Sequence, residues 1–435
     1  MRSVRACLVL VAAWAAAPEL PAQEAAPAVT LVHAGHLLDG TDRPVRDGVT
    51  IVVKGERVES IVAGYREPAA GETVVDLKDA WVLPGLIDLH VHLGTESSPT
   101  SYLERFTTNP ADLALRAVVH ARSTLRAGFT SVRNLGDGYN TTISLREAIK
   151  KGWVEGPRIW SAGKGIGTTG GHADPTNGWC DLIEGDPGPK DGVVNGPDEA
   201  AKAVRQRYKD GADVIKVTAT GGVLSLAKSP DAPQFSEDEL EAVVRTAKDY
   251  GFVVAAHAHG AEGMKRAIRA GVVSIEHGTF MDDEVIRLMK AKGTWYVPTL
   301  SAGIFVGEKS KVPGYYPEVV RPKAAKVGAQ IRETYARAFR NGVKIAFGTD
   351  AGVSPHGDNA KEFGYLVEGG MKPADAIRAA TSLAAQVLGA EGDVGTLAAG
   401  RYADLIAVRQ DPLKDVAALN TVALVMKGGV VVHTR

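Results

Sequence analysis

The residues best suited to chemistry are histidines that end apolar runs. The run at positions 83–93 closes with His90 and His92, two positions apart. In a strand, side chains alternate between faces, so both imidazoles point the same way and can clamp a divalent metal ion. A single pair of this kind is more often structural, so this interpretation depends on the residues downstream.

Further ionisable residues end other apolar runs. They are Lys216, His257 with His259, His277 and Asp350. Each alone has a structural explanation, such as a lysine that extends to solvent or an aspartate that caps a turn. Because the same kind of position recurs on five runs, we expect these side chains to converge on one metal-centred site.

The elements that must position these residues alternate between strands and helices. Helices are predicted at 111–127, 198–210, 238–250 and 282–292, the third beginning at a capping box formed by Ser236 and Glu239. Together with the strands they predict an α/β fold, a (β/α)₈ TIM barrel over residues 84–393 with its site at the carboxyl ends of the strands. A doubly wound sheet is the alternative, but no glycine-rich phosphate loop follows the first strand. Eight strands are predicted, at 83–93, 129–135, 158–162, 214–218, 252–257, 272–277, 295–300 and 344–350.

Both ends of the remaining chain consist of short strand patterns and turns. Residues 23–83 and 394–435 therefore predict a small β-sandwich domain built from both termini. Two long connections, 163–196 and 301–322, are expected to build or cover the site.

The first 22 residues have the pattern of a signal peptide. Arg2 and Arg5 precede an apolar run at 6–17, which is too short to span a bilayer well, and a small-residue exit follows. We expect cleavage near Ala22 and a periplasmic or secreted protein; the alternative is an alanine-rich helix of the mature chain. Cleavage would leave Cys180 as the single cysteine and no internal disulfide. The net charge of −1 gives no indication of a nucleic-acid or anionic membrane partner.

Lys216 is the most informative of these residues. An ammonium beside metal cations is strongly disfavoured, and a buried lysine has a lowered pKa and can be nucleophilic. Addition of carbon dioxide would convert it to a carbamate whose two oxygens can bridge two ions. We therefore expect two divalent metal ions with N6-carboxylated Lys216 as the bridging ligand.

These motifs resemble those of the amidohydrolase superfamily over nearly the whole mature chain. The resemblance includes residues 84–92, the lysine of the fourth strand, the histidines of the fifth and sixth, 348–350 and the returning segment 395–405. Segments 170–174 and 219–225 are similar to the Xaa-Pro dipeptidase group, which includes carboxypeptidase-like members and ochratoxin-hydrolysing amidases. The resemblance also implies a homo-oligomer.

The resemblance implies roles for individual residues. One ion, expected to be Zn²⁺, takes His90, His92 and Asp350; the other takes His277 and a histidine of the fifth strand. For that ligand, His257 is favoured over His259, which would then face the substrate.

The implied activity is metal-dependent hydrolysis of small amides or peptides with a C-terminal carboxylate. These include Xaa-Pro and other dipeptides, N-acyl amino acids and ochratoxin-like amides. The ions would acidify a shared water, and Asp350 would deprotonate it and pass the proton to the leaving amine. His172 or His259 would contact the substrate, and Val223 with Leu224 would line the leaving-group pocket. The alternatives are a solvated loop histidine at 172 and plain loop packing at 223 and 224.

Two other functions were weighed. A mononuclear deaminase or imidazolone-type hydrolase needs an acid shortly after the histidine of the fifth strand, and residues 257–260 contain none. A catalytically silent scaffold usually lacks several ligands, whereas all six candidates are present here.

Overall fold

The computed structural model describes residues 28–435. The predicted signal peptide at 1–22 lies outside the described residues, as do the first five positions of the predicted β domain. No helix within 28–435 combines the length and the apolar character needed to cross a bilayer.

Strands and helices follow one another as an α/β chain. The strands are β1 (Val29–Leu37), β2 (Arg46–Lys54), β3 (Arg57–Ala63), β4 (Thr73–Pro84), β5 (Leu86–Val91), β6 (Phe129–Asn134), β7 (Arg158–Ser161), β8 (Ile215–Thr218), β9 (Val254–Gly260), β10 (Ser274–Phe280), β11 (Trp295–Val297), β12 (Leu405–Val408), β13 (Leu424–Lys427) and β14 (Val430–Thr434). The helices are α1 (Ser101–Thr107), α2 (Pro110–Arg126), α3 (Thr141–Lys150), α4 (Pro197–Asp210), α5 (Glu237–Asp249), α6 (Ala261–Ala270), α7 (Asp283–Lys292), α8 (Leu300–Lys309), α9 (Arg321–Arg340), α10 (Lys361–Glu368), α11 (Pro373–Ala379) and α12 (Ser382–Leu388), with a 3₁₀ helix at Val416–Asn420.

A seven-stranded sheet joins the two ends of the described chain. Its order is β14-β13-β12-β4-β1-β2-β3, and β12 runs antiparallel to β4 with Leu405 opposite Pro84. Val32, Ile51 and Val82 belong to the apolar core of this sheet. The predicted association of both ends is therefore present, while the domain boundaries and the division into a sandwich stay predictions.

The middle of the chain contains two parallel sheets, ordered β5-β6-β7 and β11-β10-β9-β8. Single bridges continue both: Ile166 pairs with Val217, and Tyr296 pairs with Ile345. The eighth predicted strand, at 344–350, is not a regular strand, but Ala351 just beyond it pairs with Val91 of β5. The parallel strands therefore place their carboxyl ends at one side of the molecule.

Each of the four helices predicted in this region is present within one residue of its predicted limits, as α2, α4, α5 and α7. The predicted capping box also forms, since Ser236 and Glu239 cap the start of α5 reciprocally.

Two further sequence expectations were wrong in detail. The first predicted strand is divided at Gly85, because Leu83 and Pro84 belong to β4 and leave the parallel sheet. A Cβ at Gly85 would lie 2.1 Å from the Thr130 hydroxyl oxygen, so a glycine is needed where the chain passes between the sheets.

The second error concerns residues 301–322, which are not a loop throughout. They contain most of α8, which packs against α9 so closely that a Cβ on Gly307 would lie 2.9 Å from the Cα of Gly328. Paired glycines that permit close helix contact are a tertiary feature, and an apolar run with glycines and no periodicity did not indicate it.

Candidate metal centre

The ends of β5 and β8 and the segment before Ala351 bring one group of predicted ligands together. The Nζ of Lys216 lies 3.3 Å from Nε2 of His90. Oδ1 of Asp350 lies 3.3 Å from Nε2 of His92 and 3.6 Å from Nε2 of His90. Residues that are more than a hundred positions apart in sequence are thus within reach of the same ion.

The ends of β9 and β10 supply the other side of the cluster. The ring centroids of His257 and His277 are 4.6 Å apart, and those of His259 and His277 are 5.0 Å apart. His277 also connects the two sides, since its ring is 5.0 Å from that of His90. Ligand atoms of His90, His277 and Asp350 all lie within 4.8 Å of one another.

In each imidazole one ring nitrogen contacts a group outside the cluster, and this contact leaves the other nitrogen directed at the cluster. This is the usual arrangement of metal-binding histidines, in which an outer partner sets the tautomer and the ring orientation. The outer contacts are His90 Nδ1 to Glu276 (3.0 Å), His92 Nδ1 to the carbonyl of Gly136 (3.0 Å), His257 Nε2 to the carbonyl of Gly221 (3.0 Å), His259 Nδ1 to Thr279 (2.8 Å) and His277 Nδ1 to Thr299 (2.8 Å).

The nitrogen and oxygen atoms that face the cluster suit a divalent cation as ligands. A carbonyl accepts only, so Nδ1 of His92 carries its proton and Nε2 presents a lone pair to Asp350. Oδ1 of Asp350 is buried and has no hydrogen-bond partner in the described chain. Two acceptors that face one another at 3.3 Å are stabilised by a positive ion between them, and imidazole and carboxylate ligands suit zinc.

Burial also sets the protonation of the charged members. It lowers the pKa of Lys216 to about 8, although the carboxylates of Glu276 and Asp350 oppose this change. Burial alone would raise the pKa of Asp350, but His90, His92 and Lys216 outweigh it and the pKa is lowered. At neutral pH the site therefore combines an ionised carboxylate with an amine that releases its proton more easily than a surface lysine.

Backbone strain is concentrated at the same place. His277, Thr299 and Asp350 have φ values of 69°, 50° and 57°, the left-handed region that non-glycine residues seldom adopt. Thr299 is β-branched, so its conformation is the most unfavourable of the three, and its hydroxyl group contacts the ring of His277. Such strain persists where the surroundings hold a functional side chain in place.

Three charged residues behind the ligands were not singled out from the sequence. Glu276 is fully buried and accepts hydrogen bonds from His90 and from Arg133, which is also fully buried. Asp88 accepts from the hydroxyl of Thr349 at 2.6 Å and so ties β5 to the segment that carries Asp350. The available signal was an acid inside an apolar run, one or two positions before a candidate ligand.

The cluster opens into a cavity of about 660 Å³. The predicted substrate residues His172, His259, Val223 and Leu224 all line it. Val223 packs with Val306, Tyr316 and Val327 on one apolar wall. The loop 163–196 supplies His172 and several other lining residues, as expected for a long connection at this side of the molecule.

His172 is not a freely solvated loop histidine. Its ring stacks on that of His257 with centroids 4.4 Å apart, and its backbone N–H donates to Gln234 at 2.9 Å. A Cβ at Gly222 would lie 2.2 Å from the His172 ring, so the glycine makes room for this stack. Burial lowers the pKa of His172 to about 3, which keeps the ring neutral at pH 7.

Comparison with known proteins agrees with this geometry. Ochratoxinase of Aspergillus niger is 33% identical over 422 residues, which cover 92% of this chain and 86% of the relative. A crystal structure of a Xaa-Pro dipeptidase with bound methionine in its active site has 52% identity and a TM-score of 0.91, covering 94% of this chain and 100% of that one. A crystal structure of a prolidase complexed with N-methylphosphonate-L-proline has 31% identity and a TM-score of 0.85, covering 94% and 100%.

The family match spans most of the chain, from residue 81 to residue 432. It includes every predicted metal ligand and each parallel strand, and the relatives above support a hydrolase that acts on amides or peptides. The chain therefore belongs to the amidohydrolase family.

Proposed function

We propose that the protein is a binuclear metal-dependent hydrolase that cleaves the amide bond of small substrates with a C-terminal carboxylate. The observation that carries this proposal is the convergence of six candidate ligands on one end of the parallel strands. They are His90, His92, Lys216, His257, His277 and Asp350, at the base of a cavity of about 660 Å³.

In this proposal Asp350, His90 and His92 hold one divalent ion, and His257 with His277 hold the other. His257 is preferred over His259 because its ring centroid lies closer to that of His277, at 4.6 Å rather than 5.0 Å. His259 lies further along β9 toward the cavity and remains available to the substrate.

Lys216 is proposed to bridge the ions as an N6-carboxylated side chain. Its neutral amine attacks carbon dioxide, a C–N bond forms, and the nitrogen releases one proton to solvent. The product is an anion with two oxygen donors. The lowered pKa and the lack of a carboxylate within salt-bridge distance of Nζ in the described chain support this modification.

The chain's own residues would then act in sequence on the substrate. When bound, two divalent ions such as Zn²⁺ would supply an acidified water and polarise the scissile carbonyl. Asp350, ionised at neutral pH, accepts the proton of the attacking water and later donates it to the leaving amine. His259 or His172 donates a hydrogen bond to the carbonyl oxygen as negative charge develops there.

The cavity supports a small substrate rather than a folded protein. Its volume of about 660 Å³ suits a dipeptide or a drug-sized amide. We place the leaving-group side chain against the apolar wall of Val223 and Leu224, and we assign His172 to the substrate carboxylate or the reacting carbonyl. The named relatives act on, or bind, molecules that include Xaa-Pro dipeptides, methionine and a proline phosphonate.

A panel of dipeptides tests this proposal. Xaa-Pro, Xaa-Arg and Xaa-Lys dipeptides, N-acyl amino acids and an ochratoxin-type amide should each be assayed with the zinc-loaded enzyme. Lys216→Ala and Asp350→Asn should lower kcat by at least about a hundredfold, since removal of a single catalytic group typically costs that much. His433→Gln, on β14, is the matched control and should keep full activity.

Three outcomes would contradict the proposal. Full activity and unchanged metal content in Lys216→Ala would exclude the carbamate bridge. One ion per site in the active enzyme would instead support the mononuclear deaminase or imidazolone-type alternative. Inactivity toward the whole panel with both ions bound would support the silent scaffold.

We further propose a (β/α)₈ barrel, export and self-association. The single bridges that continue the parallel sheets, at Ile166, Tyr296 and Val91, support closure of the strands into one barrel. Removal of residues 1–22 would place the mature enzyme in the periplasm or outside the cell, which N-terminal sequencing of the processed protein tests. Sedimentation of the purified chain tests the homo-oligomer.

A further inference from the structure

A second cluster of metal-ligating side chains lies outside the centre described above. It consists of Glu96 in the loop after β5, His120 on α2, and His356 in the loop before α10. A carboxylate oxygen of Glu96 and one ring nitrogen from each histidine lie within 4.8 Å of one another. The two rings are stacked, with centroids 4.3 Å apart and an interplanar angle of 20°.

Backbone carbonyls determine which nitrogen each ring offers. His120 Nδ1 donates to the carbonyl of Leu93 at 2.8 Å, and His356 Nε2 donates to the carbonyl of Thr95 at 3.0 Å. Since a carbonyl only accepts, these nitrogens carry the protons, and in a neutral ring the opposite nitrogen presents a lone pair. Nδ1 of His356 is buried and has no hydrogen-bond partner within residues 28–435.

Glu96 is the third member of the cluster and forms no ion pair with either histidine in the described chain. Its Oε2 accepts from the backbone N–H of His356 at 2.9 Å, which fixes the carboxylate beside the rings. Among the ion pairs of the described residues, none joins Glu96 to His120 or His356. One nitrogen of each ring and a carboxylate oxygen therefore lie close together, and the free nitrogen of His356 has no partner among the described residues.

We propose that Glu96, His120 and His356 form an additional metal site that takes a divalent transition-metal ion such as Zn²⁺. Two imidazoles and one carboxylate are a ligand set that zinc accepts, with bonds of about 2.0 to 2.2 Å. Ligand atoms around such an ion are roughly 3 to 4 Å apart. Side-chain rotations that move these atoms by about 1 Å would therefore bring all three within bonding distance of one ion. Solvent would fill the remaining coordination position.

The bound ion would have a structural effect on the cavity. It would join α2 to the loops that follow β5 and Ala351, which already meet where Ser97 N–H donates to the carbonyl of Gly352 at 2.7 Å. Ser97 and Ser98 line the cavity, so the ion would hold one cavity wall in position. Because its residues differ from the ligands of the proposed catalytic centre, this site does not depend on that centre being binuclear.

Zinc content per chain tests the site. The full-length purified chain is equilibrated with micromolar Zn²⁺, freed of unbound metal and measured by inductively coupled plasma mass spectrometry. His120→Asn and His356→Asn should each hold one zinc fewer per chain than the unsubstituted protein. His433→Gln is the matched control and should hold the same number as the unsubstituted protein.

The comparison separates this site from the proposed catalytic centre. In Lys216→Ala the ion at the additional site should remain, so a further loss of one zinc on adding His356→Asn supports the proposal even if the catalytic proposal fails. If His120→Asn and His356→Asn held as much zinc as the unsubstituted protein, or if a difference appeared only at millimolar Zn²⁺, the proposal would be overturned. Should a histidine variant fail to fold, Glu96→Gln provides the same comparison, because the amide oxygen still accepts from the His356 N–H.

Discussion

The buried ion pair behind His90 offers the most demanding test of how the candidate metal centre is held. Glu276 and Arg133 are both fully buried, and their hydrogen bond measures 2.8 Å. Glu276→Gln would leave the guanidinium buried without its counter-charge, and breaking a buried pair in this way costs about 3 to 5 kcal/mol of unfolding free energy. The same substitution weakens the orientation of His90, and loss of such an outer partner lowers metal affinity by about 10- to 100-fold.

Two measurements separate these effects. Urea denaturation of the metal-free protein reports the unfolding free energy, and titration with Zn²⁺ reports affinity. Adding Arg133→Met to Glu276→Gln removes the unpaired charge, so the double variant should regain part of the stability. It should not regain metal affinity, because His90 still lacks the carboxylate that it contacts at 3.0 Å.

The control is Glu368→Gln, which removes an exposed carboxylate 3.4 Å from Arg332. Exposed pairs contribute roughly 0 to 1 kcal/mol, so this variant should unfold almost as the unsubstituted protein does. If Glu276→Gln lost less than about 1 kcal/mol and bound zinc normally, the buried pair would not be what orients His90.

Three further predictions follow from single contacts. Gly222→Ala should displace His172 from its stack and lower kcat/KM by about a hundredfold, the effect of a misplacement of about an ångström. Burial raises the pKa of Glu362 from 4.5 to about 7, so its contribution to stability is present below pH 4.5 and lost as the pH rises to 7. The unfolding free energy of Glu362→Gln relative to the unsubstituted protein should therefore rise by about 3 kcal/mol over that range, measured by urea denaturation at each pH. Lys323→Met removes donors to three backbone carbonyls within 222–227 and should raise KM by about tenfold or more, since hydrogen bonds from a charged group contribute about 1.5 to 3 kcal/mol.

Each of these three predictions has a control variant. Gly364→Ala meets no atom within 4 Å of the added Cβ and should leave kcat/KM unchanged. Glu368→Gln removes an exposed carboxylate from the same helix as Glu362 and serves as the control for Glu362→Gln. Lys326→Met removes an exposed ammonium from the same helix as Lys323 and should leave KM unchanged. Equal behaviour of a variant and its control would contradict the corresponding prediction.

The sequence alone determined the residue types of the candidate metal centre and their places at strand ends. Hydrophobic periodicity is a local property, so it predicted the existence of seven parallel strands, β5 to β11, and the limits of α2, α4, α5 and α7 within one residue. The motif containing His90 and His92 was equally local, because alternation in a strand places both imidazoles on one face.

Other features were decided by tertiary structure. The division of the first predicted strand at Gly85 follows from contact with Thr130, and the helix within 301–322 is held by close packing of Gly307 on Gly328. Such contacts join positions that are far apart in the sequence, so no local sequence pattern predicts them.

The same reason applies to the centre itself. Which nitrogen of each imidazole faces the cluster depends on outer partners such as Glu276, which lies 186 positions from His90. The stack of His172 on His257 likewise requires the loop 163–196 to fold back over the strand ends. The chemistry of each residue is a property of the local sequence, whereas the orientation of its side chain depends on the distant groups that the fold brings into contact with it.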